Sequence, residues 1–343
     1  MQAPPEAPMT QKIRLALPSK GRLQQDTLEL LQTCDLKVSQ RNTRQYIARI
    51  DALPQIEIWF QRPADIVRQV RNGDVDLGIA GFDMVAEYRG EAEQIIVIHN
   101  ALNYGHCALE VIVPERWEDV NSIADLAKKT QTAPPERPLR VAGKFRRAAT
   151  RFLNQHKISP YRHLHADGAL EAAPNMGTAD FIVDLVQTGL TLQGNRLKTI
   201  SGGRLLESQA CFFGNRNALK NKPEALAVTR LLLERFEAHL RAQQHYSVIA
   251  NVRGNSAESV AQKLQQWPEL CGLQGPTISP VYPKTPEQNG WYAISLMVHK
   301  SHLQTAIQQL RQVGGSGVVV LPALFIFEEE PERWRLLKET LAR

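Results

Sequence analysis

Gly177-Thr178-Ala179-Asp180-Phe181-Ile182-Val183-Asp184-Leu185-Val186-Gln187-Thr188-Gly189-Leu190-Thr191-Leu192 reads as an apolar strand that runs into a small, hydroxyl-bearing loop. The stretch Gly73-Asp74-Val75-Asp76-Leu77-Gly78-Ile79-Ala80-Gly81, 104 positions earlier, has the same plan: Gly-x-x-Asp, then a short apolar strand. A helical segment precedes each copy. Residues 63–71 set Ile66, Val67 and Val70 at helical spacing, and 171–176 supply a shorter helix. Each copy also follows an earlier strand that leads into a helix, 13–17 before 22–32 and 139–142 before 147–155. Such βα units favour sheets covered by helices on both faces.

Two similar α/β lobes in tandem suggest a cleft between them, where ligands sit outside strand ends. That arrangement is similar to the type II periplasmic-binding-protein fold. The first lobe is expected over 12–102 and again over 197–222, and the second over 103–196, so that two crossing segments form the hinge. Residues 128–138 are polar, hold three prolines and read as a surface loop. From residue 223 the pattern changes. A long amphipathic helix reaches about 244, and strands at 246–251, 276–281, 291–298 and 317–321 alternate with helices at 256–266 and 301–313. The order βαββαβ is that of ferredoxin-like small-molecule sensing modules.

Within the loop of the opening stretch, Thr188 and Thr191 supply hydroxyl donors, and Gly189 lets the backbone approach an anion closely. Asp184 stands just ahead, where a carboxylate can accept from sugar hydroxyls or hold a hydrated Mg2+. A phosphorylated ribose fits both ends. Taken alone, Thr-Gly-x-Thr after a strand is also an ordinary turn.

The chain has 343 residues, 43% hydrophobic and 22% charged, which suits two or three compact units and not general disorder. Its formal charge of +6 comes from Lys and Arg spread along the sequence, without a basic helix or an aromatic-interleaved sheet motif. Small polyanionic substrates explain that charge better than nucleic acid. Cys34, Cys107, Cys211 and Cys271 are dispersed singly, which points to a reducing compartment. Residues 1–11, rich in Pro and polar side chains, read as a disordered extension, and no run approaches the ~18 apolar residues that span a bilayer. A soluble cytoplasmic protein with no membrane partner is expected. His163-Leu164-His165 lacks a further ligand at zinc-site spacing and is not read as a metal site.

With Gly168 to Ala179 added upstream, the run to Leu192 resembles the phosphoribosyl-diphosphate segment of ATP phosphoribosyltransferase, the family that opens histidine biosynthesis. Two further motifs carry the resemblance: Leu15-Ala16-Leu17-Pro18-Ser19-Lys20-Gly21-Arg22-Leu23, and Arg62-Pro63-Ala64-Asp65-Ile66 with the stretch from Gly73 to Asp83. It covers residues 12–326 and resembles the long form of the family. Val141-Ala142-Gly143-Lys144-Phe145-Arg146-Arg147 departs from the usual Val-Ala-Thr-Lys-Tyr-Pro, keeping Lys144. The added Arg146 and Arg147 either strengthen diphosphate binding or coat a helix start.

The resemblance implies that N1 of the ATP adenine attacks C1 of 5-phosphoribosyl 1-diphosphate, with Mg2+ as cofactor. It implies Lys20, Arg22, Glu171 and Asp184 as catalytic residues, the last two holding the metal. Asp184, Thr188, Gly189, Leu190, Thr191 and Lys144 bind the diphosphate sugar, and Arg22, Arg62, Asp76 and Gly81 bind ATP. Asp76 has a twin in Asp180 of the internal repeat, which argues for a role of both in the shared fold, while Asp65 and Asp83 read equally as helix-start residues. In the third region, around Gly275-Pro276-Thr277-Ile278-Ser279-Pro280, Thr277 and Asn251 are implied as contacts for histidine, a feedback inhibitor. A homodimer and homohexamer are implied too, and residues 328–343 extend past the usual end as an amphipathic helix. The competing class is a non-catalytic two-lobed ligand-binding or regulatory paralogue.

Overall fold

A computed structural model describes residues 12–40, 42, 45–90, 93–166, 168, 170–282 and 290–343, and the extension expected over 1–11 lies outside them. The chain opens with β1 (Ile13–Pro18), α1 (Gly21–Thr33), β2 (Val38–Ser39), β3 (Ile47–Ile50), β4 (Leu53–Gln61), α2 (Pro63–Asn72), β5 (Leu77–Gly81), α3 (Phe82–Tyr88) and β6 (Ile95–His99). It crosses to β7 (Cys107–Pro114), α4 (Ile123–Gln131), β8 (Leu139–Ala142), α5 (Arg146–Gln155), β9 (Tyr161–Leu164), β10 (Phe181–Val186), α6 (Leu190–Gly194) and β11 (Leu197–Ser208). It returns as β12 (Ala210–Asn215) and α7 (Arg216–Asn221). One sheet runs β2-β3-β4-β1-β5-β12-β6 and the other β11-β7-β10-β8-β9.

Local chemistry explains these elements. In β1, Leu15, Ala16 and Leu17 are all fully buried, as in a parallel strand covered on both faces. α2 begins with Pro63, whose missing N–H would have had no helical partner, and buries Ile66, Val67 and Val70. It stops at Gly73, which takes the left-handed φ of +86°. The helix expected over 171–176 is a single 3-10 turn, Leu170–Ala172, because Pro174 cannot continue it.

One lobe boundary is corrected. The sequence predicts that residues from 197 onward rejoin the first lobe, but β11 pairs antiparallel with β7 from Leu197 opposite Pro114 to Ser208 opposite Cys107. The sequence disguises this strand as a linker through Gly202-Gly203. At the resulting irregularity, a Cβ on Gly203 would lie 2.9 Å from the Ile200 carbonyl oxygen. The chain recrosses only at Gln209. At the first crossing, His99 is buried, and its Nδ1 accepts the Ala101 N–H at 3.2 Å. Burial, with the charge of Arg333 adding to it, pushes the His99 pKa down to about 3, so the imidazole is neutral.

By contacts the chain falls into two compact units, one reaching Leu231 and including Arg333–Arg343, the other Leu232–Glu332. The sequence predicts a C-terminal region over 223–343; the division instead falls inside α8 (Pro223–Ala242), and most of the last helix joins the first unit. The second unit holds β13 (His245–Arg253), α9 (Ala257–Gln265), β14 (Thr277–Pro280), β15 (Trp291–His299), α10 (Leu303–Gln312) and β16 (Ser316–Pro322), and α11 (Glu332–Ala342) follows. In α11, Trp334 and Leu337 are buried, and the Thr340 carbonyl accepts from Arg216 Nη1 at 3.1 Å. The four strands run β14-β15-β13-β16, all antiparallel, in the βαββαβ order of a ferredoxin-like fold. Val248, Ala250, Val252, Ile294 and Leu296 pack with Val260, Leu264, Ala306 and Leu310 of its helices.

The internal repeat has a physical counterpart. Asp76 Oδ2 accepts the Arg14 N–H at 2.9 Å, and the Asp76 N–H donates to the Arg14 carbonyl at 3.2 Å. Asp180 does the same with Arg140, at 2.7 and 2.8 Å, and accepts from the Arg140 guanidinium at 3.1 Å to each oxygen. Burial alone would raise the Asp180 pKa, but the Arg140 bonds outweigh it and hold the carboxyl below its ordinary 3.8. The stability from these bonds is therefore whole above pH 3.8 and lost as pH falls through the lower folded value. Asp180→Asn should lower unfolding free energy at pH 7 by about 2 kcal/mol. In urea titrations, its difference from the parent should shrink under acid conditions.

Candidate active site

β10 is apolar where the second-lobe sheet is deepest, with Phe181, Ile182 and Val183 buried, and emerges at half-buried Asp184. Burial raises the Asp184 pKa, and the charge of Glu171 adds to it, against the Leu185 N–H donated to Oδ1 at 2.8 Å and the charge of Lys144. The structure thus brings Glu171 and Lys144 each within electrostatic reach of Asp184. Gly189 then takes φ +75° and starts α6, leaving the side chains of Thr188, Leu190 and Thr191 exposed. Leu190, 71% exposed, can offer a ligand only its backbone N–H.

Lys144 stands between β8 and α5, its ammonium 4.9 Å from the centre of the Phe145 ring. Gly143 allows β8 to end this close to β10, since a Cβ there would lie 2.6 Å from the Val183 carbonyl oxygen. Arg146 and Arg147 both have exposed side chains at the start of α5.

In the first lobe, Lys20 stands at the cap of α1 and Arg62 at the cap of α2. Both line a cleft of about 600 Å³ with Ser19, Trp59, Gln61 and Asp65. Gln61 Oε1 is buried there without a hydrogen-bond partner, while its Nε2 donates to Gln69 at 2.6 Å. Arg22 points away from the helix cap, 79% exposed, and meets Asp26 at 3.6 Å.

Two residues expected at the ATP site have other work. Asp76, 3% exposed, accepts from Arg14 N and, at 2.8 Å, from Lys222 Nζ. It stands at the start of β5, about 16 Å of strand from Gly81. The space beside Gly81 belongs to Asp83: a Cβ on Gly81 would lie 2.2 Å from Asp83 Oδ1.

Asp83 is the main residue at the lobe junction that sequence reasoning undervalued. It is buried, its N–H donates to Ser208 Oγ at 2.9 Å, and that hydroxyl donates back to its Oδ1 at 2.7 Å. Burial raises its pKa, opposed by Ser208 and then by the charge of Lys144. Cys107 lies in the same cluster, and burial followed by the Asp83 charge pushes its thiol up to about 11, too high for a nucleophile at neutral pH. A second missed group is Glu110, directly opposite Asp184 in the sheet and bonded by Arg204 Nε at 2.7 Å. A Glu inside the apolar run 108–113 was its legible signal.

Among the described residues no group of three or more His, Cys, Asp or Glu forms a metal cage, and no helix is long and apolar enough to cross a membrane. Asp184 with Glu171 makes a two-carboxylate set, which suits a cation whose other ligands are waters and substrate phosphates. The arrangement can hold charged, phosphorylated ligands by position and electrostatics.

Fold and site together define a two-lobed α/β protein followed by a ferredoxin-like unit. The sequence model of the family described as ATP phosphoribosyltransferase matches residues 62–238, and that of its C-terminal domain matches 242–323. The chain belongs to the ATP phosphoribosyltransferase family, in its long form. ATP phosphoribosyltransferase 1, chloroplastic, of Arabidopsis thaliana is 48% identical over 337 residues, 96% of this chain and 81% of that protein. The ATP phosphoribosyltransferase of Brucella anthropi is 40% identical over 223 residues, 64% of this chain and 96% of that one. In fold, the ATP phosphoribosyl transferase (HisG:HisZ) complex of Thermotoga maritima matches with a TM-score of 0.51 at 22% identity, over 66% of this chain and 98% of that chain.

Gly81→Ala should displace the Asp83 carboxylate and lower stability by about 1–3 kcal/mol through overpacking. Its midpoint in urea against the parent protein measures this.

Proposed function

We propose that this chain joins N1 of the ATP adenine to C1 of 5-phosphoribosyl 1-diphosphate and releases diphosphate, the first step of L-histidine biosynthesis. The observation that carries this reading is Asp184, near the end of β10 ahead of the 188–191 loop, under the charges of both Lys144 and Glu171. The hydroxyls of Thr188 and Thr191 and the N–H groups at Gly189 and Leu190 grip the sugar 5-phosphate. Asp184 accepts from ribose hydroxyls and orients C1. The adenine N1 lone pair forms the new bond as the C1–O bond breaks, and that electron pair leaves on the diphosphate. Negative charge gathers there and is met by Lys144, while Arg22, free to swing from its exposed contact with Asp26, adds a second cation.

ATP enters the first-lobe cleft, whose size suits a nucleotide, with Lys20 and Arg62 toward its phosphates. The unpartnered Gln61 Oε1 is an acceptor matched to an amino donor such as that of adenine. Asp184 and Glu171 would hold Mg2+, which when bound neutralises part of the diphosphate charge. Asp76 and Gly81 support the fold and are left out of the ATP site.

In the second unit, Thr277 and Asn251 share the sheet face turned from its helices. Thr277 pairs with Ser295 and Asn251 with Ala293, both alternating with buried Ile294 and Leu296. Histidine binding on this face, with feedback inhibition, completes the proposal, together with a homodimer and homohexamer. None of the four cysteines is in a disulfide, which suits a reducing compartment, cytoplasm or chloroplast stroma.

Purified protein with ATP, 5-phosphoribosyl 1-diphosphate, Mg2+ and pyrophosphatase should form the ultraviolet-absorbing adduct, and no adduct would favour a non-catalytic paralogue. Activity should vanish in excess EDTA and return with Mg2+, and millimolar histidine should suppress it. Arg22→Ala should lower kcat/KM by roughly ten- to hundredfold, the effect of one charged hydrogen bond in the transition state. Unchanged kinetics in that variant would remove Arg22 from the site.

A further inference from the structure

Helix α5 has no side-chain cap of its own, because Phe145 stands at its cap position and has no acceptor. The cap comes from the first lobe. Glu87 of α3 accepts the Arg147 N–H at Oε1, at 2.8 Å, and the Ala148 N–H at Oε2, at 3.0 Å. A carboxylate there satisfies two helix-start donors and meets the partial positive charge of the helix end. The next N–H, of Ala149, already donates to the Phe145 carbonyl at 2.9 Å.

Four residues earlier on the same face of α3 is Asp83, tied to Ser208 and attracted by Lys144. Met84, beside it, packs on the cores of both lobes. One short helix of the first lobe therefore grips the second at the junction from β8 into α5, and Lys144 sits in that junction. Lys144 also follows the strand that pairs with β10, Ala142 opposite Ile182 and Gly143 against the Val183 carbonyl, so its charge acts on Asp184.

We propose that Glu87 is a positioning residue for phosphoribosyl transfer: by clamping the start of α5 across the lobe junction, it fixes Lys144 against Asp184 in the geometry that receives the diphosphate sugar. This rests on the assignment of Lys144 and Asp184 to that site. A shift of about 1 Å in a group that meets substrate is enough to cost one or two orders of magnitude in rate.

Steady-state kinetics of Glu87→Ala, Glu87→Gln, Lys144→Ala and the Glu87→Ala/Lys144→Ala double variant test this, with thermal unfolding followed alongside. Glu87→Ala should raise KM for the diphosphate sugar about tenfold while KM for ATP stays within about twofold. Glu87→Gln, which keeps one carbonyl acceptor, should recover part of the loss, and it carries the test alone if the alanine variant fails to fold. In the Lys144→Ala background, Glu87→Ala should add less than about twofold, since the two act as a unit. Multiplying effects in the double variant, or an unchanged KM for the diphosphate sugar in both Glu87 variants, would overturn the proposal. Lys144→Ala with parental kinetics would instead strike Lys144 from the site, and with it the route by which Glu87 acts.

Discussion

A carboxylate at the start of one strand bonding the backbone of its neighbour sets the geometry of both lobes. Asp76 ties β5 to β1 through Arg14, and Asp180 ties β10 to β8 through Arg140. Each tie secures the amino end of a parallel strand pair, where no ligand chemistry is expected. The carboxyl ends then open together, each into a loop that carries a polar or flexible residue. Lys20 follows β1, Arg62 follows β4, Gly81 ends β5, Lys144 follows β8 and the 188–191 loop follows β10. Ligands collect outside the carboxyl ends of such strands because helix starts and free backbone N–H groups gather there.

Where the lobes join, charge and space are matched closely. Gly81 lacks a side chain, so the Asp83 carboxylate fits over it; Ser208, at the last position before the chain recrosses, donates to that carboxylate. The buried negative charge is answered from the other lobe by Lys144. A lysine whose charge acts on one carboxylate of each lobe couples the junction to Asp184. Burial, with the Asp83 charge adding to it, keeps the Cys107 thiol protonated against the opposing pull of Lys144, consistent with catalysis by position and electrostatics.

The second unit follows a simpler rule. Alternation along β13 and β15 sends Val248, Ala250, Val252, Ile294 and Leu296 to the helices and leaves Ile249, Asn251, Ala293 and Ser295 on the other face. A face of small and polar residues with Val319 and Leu321 about half exposed is fit for a small polar ligand or a second protein surface.

The sequence by itself determined the periodic and repeated parts. Apolar alternation and glycine stops gave the strand and helix order of the second unit within a few residues, and the doubled Gly-x-x-Asp gave the two lobes. It also marked Asp184 and the 188–191 loop, because a strand running into Thr-Gly-Leu-Thr is a local pattern, while Lys144 was implied only by the family resemblance of residues 141–147. What only the tertiary structure decided are pairings between residues far apart in the chain. β11 belongs to the second lobe because of its partner β7, which its own glycine-broken pattern does not name. α11 joins the first unit through the burial of Trp334 and Leu337. Asp83 reads locally as a helix-start residue, and nothing local singles out Glu87. Their roles arise from Ser208, 125 positions on, and from Arg147 and Ala148, 60 and 61 positions on. Local periodicity records which face of an element is buried, but it carries no information about what lies against that face; packing supplies it.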